Sequence, residues 1–136
     1  MWIALALVLA LLWRRPWIAV AVAAAVVSAD LLAELGKLLV HRHRPFEHRL
    51  GPRETSHSFP SGHASTAFAG ATMLAAYVPR LRVPLYLLAT LIALSRLYNG
   101  VHYPTDVIAG AVLGTATALL LRAAARRGSL RGLRGD

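Results

Sequence analysis

Apolar residues run along this chain in long unbroken blocks separated by short polar stretches, rather than in the every-other-residue alternation of a half-buried strand. Five blocks stand out: residues 1–13, about 17–40, Ser61 to Val78, Val83 to Asn99, and Pro104 to Leu121. A helix rises ~1.5 Å per residue and a bilayer core is roughly 30 Å thick, so about 20 residues span it. The second block has room for tilt, and the last three are slightly short but end in polar residues suited to headgroups. The first reaches only ~18 Å on the same rise. The pattern therefore predicts an all-α fold: a polytopic membrane bundle of about five transmembrane helices, the first one short.

Composition sharpens this picture. The chain is 57% hydrophobic and only 15% charged, with a mean hydropathy of +0.53. A net charge of +9 raises nucleic acid as a partner. Aromatic residues are few, however, and the arginines cluster at block ends, which fits loops at a membrane surface and argues against nucleic acid. Cysteine is absent, which removes disulfides and thiolate metal sites. Arg14 and Arg15 follow the first apolar block instead of preceding it, so that block reads as a retained helix and not as a signal peptide. Neither a repeat nor a linker divides residues 1–136, which read as a single membrane-embedded domain with a basic tail over 122–136.

If all five blocks cross, the connections alternate between two faces. Arg14, Arg15, Arg80, Arg82, Arg122, Arg126, Arg127, Arg131 and Arg134 fall on one face, nine cations in all. Lys37, Arg42, Arg44, Arg49, Arg53 and Arg96 fall on the other, with Glu47 and Glu54. The positive-inside rule puts the richer face, and with it the C-terminal tail, in the cytoplasm.

Three polar clusters interrupt the apolar blocks: "KLLVHRHRPF" at 37–46, "PSGH" at 60–63, and "SRLYNGVHYPTD" at 95–106. The alternation places all three at the same, extracytoplasmic face. Taken singly, each has a plain explanation: an interfacial arginine with its stem in lipid, a polar cap, a turn. Together they make a site. Lys37, Arg44 and Arg96 bring three positive charges, two of them planar forks suited to phosphate oxygens. Ser61, Gly62 and His63 at a helix start offer backbone N–H groups and the positive end of the helix dipole. His102 and Asp106 are four apart, with Pro104 between them suited to a first helical turn. A carboxylate on one ring nitrogen fixes the tautomer and leaves the other to attack. His63 is then a second imidazole, able to give a proton to a leaving oxygen.

The arrangement Lys37-x6-Arg44-Pro45, Pro60-Ser61-Gly62-His63 and Ser95-Arg96-x5-His102-x3-Asp106 resembles the three-part signature of the type 2 phosphatidic acid phosphatase (PAP2) superfamily, over about residues 17 to 121. "RPF", "SFPSGHA" and "SRLYNGVHYPTDVIAG" are similar to the bacterial membrane members, which include undecaprenyl-diphosphate and phosphatidylglycerophosphate phosphatases. Such enzymes commonly have about six spanning helices, against five here with the first one clipped. The resemblance implies an integral inner-membrane phosphatase for a lipid phosphate or diphosphate. In it, His102 attacks phosphorus and forms a phosphohistidine, Asp106 orients His102, and His63 protonates the leaving group and later activates water. Lys37, Arg44, Ser61, Gly62 and Arg96 hold the phosphoryl oxygens, and neither metal nor other cofactor is implied. Two alternatives stay open: a shortened, non-catalytic relative that binds lipid or assists assembly, and the soluble acid phosphatases and haloperoxidases that carry the same signature, which the hydropathy disfavours.

Weaker signals remain. His41, His43, His48 and His57 crowd one loop, but a zinc site wants a better-defined set, and they read as loop polarity. Asp30 and Glu34 lie inside the second span, where carboxylates are costly and have partners. Glu34 is three residues before Lys37 on one helical face, so it is either a tether for that lysine or a protonated or water-exposed carboxyl. The tail arginines suit anionic headgroups and act first as a topology signal.

Overall fold

The computed structural model describes residues 1–12, 14–45 and 56–132. They form five helices: α1 (Trp2–Leu12), α2 (Pro16–Val40), α3 (Gly62–Tyr77), α4 (Arg82–Tyr98) and α5 (Pro104–Gly132), with a 3-10 turn at Pro79–Leu81 leading into α4. No strand occurs among the described residues. Glu47, His48, Arg49, Arg53 and Glu54 of the second connection, and Arg134 of the tail, lie outside them.

Each boundary has a local cause. Pro16 opens α2 at a position where its missing N–H costs nothing. His41 ends that helix in the left-handed region (φ 48°), its N–H closing on the Lys37 carbonyl. Ser61, expected as the first residue of the third block, is instead the N-cap of α3, its Oγ accepting from the Ala64 N–H at 3.5 Å. The largest departure from expectation is in α5. The apolar block ends at Leu121, yet the helix continues to Gly132, because Ala, Arg and Leu are strong helix formers whether or not they are lipid-soluble.

Among the described residues, three helical stretches, Pro16–Val40, Pro79–Tyr98 and Pro104–Arg127, are long and apolar enough to cross a membrane. Their outer faces carry exposed large apolar residues, including Val83, Leu87, Leu91 and Leu94 on α4 and Ile108, Val112, Leu119 and Leu120 on α5. Apolar faces of that size belong in lipid. α3 differs. Its 16 residues reach only ~24 Å, and nine of them are buried. It is the central element, packed against α2, α4 and α5, with α1 also touching it.

Small residues make that centre possible. Gly110 and Gly114, one turn apart on α5, lie against the α3 backbone. A Cβ on Gly110 would run into the Ser61 carbonyl, and one on Gly114 into the carbonyl of Ser65. This is the small-xxx-small spacing that lets two helix backbones touch. Polar side chains inside the bundle are matched: Ser65 Oγ donates to the Ala29 carbonyl at 3.1 Å, and Thr72 Oγ1 pairs with the Tyr86 hydroxyl at 2.8 Å. At the far end Trp17 meets Tyr77 edge-on, ring centroids 4.7 Å apart, two amphipathic rings at a level suited to a headgroup boundary.

Candidate active site at one end of the bundle

The helices run alternately up and down, so the C-terminal ends of α2 and α4 share one end of the bundle with the N-terminal ends of α3 and α5. The three polar clusters meet there. Arg44 Nη1 donates to the Val101 carbonyl at 3.0 Å and lies 3.4 Å from His102 Nε2, joining the first cluster to the third. The Ser61 N–H donates to the Asp106 carbonyl at 3.0 Å, joining the second to the third. A Cβ on Gly62 would sit 3.8 Å from Lys37 Nζ, joining the first to the second.

His102 and Asp106 are buried, Asp106 completely. α5 starts at Pro104, which makes Asp106 the third residue of the helix. Its Oδ2 reaches back to the Tyr103 N–H at 2.9 Å, one half of a capping box, in the field of the helix N-terminus. The same oxygen is 3.6 Å from His102 Nδ1, an ion-pair separation slightly longer than a hydrogen bond. On the other side of the ring, Nε2 faces Arg44. A guanidinium has only donors. Nε2 therefore presents its lone pair to Arg44, and the ring proton of the neutral imidazole belongs on Nδ1, toward Asp106. The result is a histidine whose basic nitrogen points at a buried cation.

Arg44 is itself held. Nε donates to the Ser56 carbonyl at 2.8 Å and Nη2 to Ser56 Oγ at 2.9 Å. A buried charge needs such partners, and they also fix the plane of the fork. Lys37 is buried along its stem, and its Nζ pairs with Glu34 Oε1 at 2.6 Å, the tether that their spacing suggests. Arg96, at the last turn of α4, is tied to the cluster through its main chain: its carbonyl accepts from the Val101 N–H at 3.3 Å, while Nε donates to Ser95 Oγ at 3.2 Å.

His63 is the second residue of α3. It is exposed, and with Asp30 and Thr66 it supplies the polar residues of a cleft of about 450 Å³ walled by α1, α2, α3 and α4, among them Trp2, Val26, Val27, Leu31 and Ile92. In the loop, His41 and His57 stack edge-on at 4.8 Å.

One participant is invisible to motif reading. Arg42 Nη1 donates to Asp106 Oδ1 at 2.9 Å and to Thr105 Oγ1 at 2.7 Å, and its guanidinium carbon lies 4.2 Å above the Tyr103 ring. In sequence it is one basic residue among several in "HRHR". The usable signal is its spacing of two from Arg44, which lets both arginines reach the 101–106 segment.

A helical membrane protein with a cationic cluster around a buried histidine at one end of the bundle is thus the class that fold and site define. Residues 16–128 match the model of the PAP2 superfamily, and the chain belongs to that family. It is 36% identical over 120 residues to an undecaprenyl-diphosphatase of Sulfolobus acidocaldarius, covering 84% of this chain and 58% of the relative. It is also 36% identical over 113 residues to a lipid A 1-phosphatase of Rhizobium johnstonii, covering 76% of this chain and 46% of the relative. Among solved structures, the transmembrane PAP2-type phosphatidylglycerolphosphate phosphatase of Bacillus subtilis superposes with a TM-score of 0.76 at 28% identity, covering 92% of this chain and 67% of that one. The chain thus spans roughly half the length of these two curated relatives.

Proposed function

We propose that this chain is an integral-membrane lipid phosphatase, acting over its single membrane-embedded unit on a phosphomonoester or diphosphate of a lipid. The observation that carries the reading is the buried His102 ring, set between the Asp106 carboxylate on one nitrogen and the Arg44 guanidinium on the other. A phosphoryl oxygen drawn to Arg44 brings phosphorus up to the Nε2 lone pair. Attack in line forms the N–P bond as the bond from phosphorus to the lipid oxygen breaks. His63 gives its proton to that departing oxygen, and Asp106 stabilises the positive charge that develops on the His102 ring. In the second half, His63 takes a proton from water, which attacks the phosphohistidine and releases inorganic phosphate. Lys37, Arg44, Ser61, Gly62 and Arg96 hold the non-bridging oxygens and spread their charge, so that no metal ion is required.

Sidedness follows from the arginine distribution: the site faces outward and the extended C-terminal end of α5 faces the cytoplasm. Undecaprenyl diphosphate, phosphatidylglycerophosphate, phosphatidic acid and lipid A are the substrate candidates, and the names of the relatives support this class. The test is phosphate release from these four lipids by the purified protein. His102→Ala and His63→Ala are each expected to abolish turnover while the protein still inserts, and unchanged turnover in either refutes its assignment. If the unaltered chain releases no phosphate from any of the lipids, the non-catalytic alternative replaces this reading.

A further inference from the structure

We infer that Arg42 is a positioning residue for the reaction, acting on His102 through Asp106; this rests on the roles proposed above for those two residues. A carboxylate with no exposure to solvent needs partners for both oxygens. Oδ2 of Asp106 has the Tyr103 N–H and faces His102 Nδ1. Oδ1 has Arg42, the cation paired with this carboxylate among the described contacts.

The carboxylate plane turns about a soft torsion with broad wells, so something must hold its Oδ2 edge toward the imidazole. Arg42 does this from the opposite edge. The arginine is in turn fixed by the Thr105 hydroxyl and by the face of Tyr103. Every one of these partners belongs to the 103–106 segment, and none is a group proposed to touch phosphate. The Arg42 side chain is 37% exposed and Asp106 is not exposed at all, so the pair ties a buried carboxylate to a solvent-reaching cation. As the His102 ring gains positive charge, a carboxylate already aligned has no reorientation left to make.

The inference predicts a loss in the chemical step with little change in substrate binding. With dioctanoyl phosphatidic acid or undecaprenyl diphosphate as substrate, whichever is turned over, Arg42→Gln is expected to lower kcat by about tenfold to a hundredfold, within the range of coupling between contacting residues. KM is expected to hold within about twofold on the same grounds. Arg42→Lys, which keeps the charge but not the fork, should lie between the two. The decisive measurement is a double-mutant cycle at single-turnover enzyme concentrations. In an Asp106→Asn background, Arg42→Gln should cost nothing further, since the group it acts through is gone.

A rise in KM at constant kcat marks direct contact with phosphate and overturns the inference. So do additive losses in the cycle, or a kcat that is unchanged per folded molecule. If Arg42→Gln yields no folded protein, Arg42→Lys carries the test, and native kcat in that variant is the overturning result. Full activity in Asp106→Asn or His102→Ala would instead remove the reading of the site on which the inference stands.

Discussion

At the scale of single residues, the site is a set of charges each held by neighbours: Lys37 by Glu34, Arg44 by Ser56, Asp106 by the Tyr103 amide and Arg42. The Lys37–Glu34 pair illustrates how function and stability separate. The Glu34 side chain is half exposed, so Glu34→Gln should shift stability by less than about 1 kcal/mol. Lys37 loses its anchor but not its charge, and KM for the lipid phosphate is expected to rise severalfold with kcat held. Steady-state phosphate release together with thermal unfolding in detergent checks both halves. The spacings of Lys37, His63, His102 and Asp106 carry chemistry and single these residues out in the sequence as candidates. Arg42 is not singled out, since a basic loop at a membrane surface has arginines for reasons of topology alone. Only the path of the chain after His41, turned by a left-handed residue, aims this one at Asp106.

Among the elements, α3 is the one whose sequence is most misleading. Its 16 residues are short for a span, and small residues dominate it. Length counting rates it poorly, yet it is the element that every other helix packs against. Small residues explain the contradiction: they let backbones approach, which apolar bulk would prevent. Gly114 is the tightest case, so Gly114→Ala is expected to destabilise the bundle by about 1–3 kcal/mol through overpacking. A Leu there should prevent folding. Melting of the variants in detergent measures the first, and loss of monodisperse protein reports the second. The apolar blocks located all five helices. The extent of α5 escaped them, because hydropathy marks where lipid ends and not where a helix does.

For the molecule as a whole, the alternation of helices gathers the chemistry at one end and most of the uncommitted arginines at the other. The absence of cysteine makes this directly measurable. A single cysteine replacing Asn99, beside the site, should react with a membrane-impermeant maleimide on intact cells. One replacing Ala125, on the far extension of α5, should react only after the membrane is opened. The opposite labelling pattern would invert the proposed orientation.

The link between Ser61 and Asp106 is made by main-chain atoms on both sides, so exchanging side chains does not delete it. Variants silenced at His63 should therefore retain the assembled cradle and stall with their lipid in place. Extracting such a stalled protein and identifying by mass what it carries would name the natural substrate without guessing it beforehand.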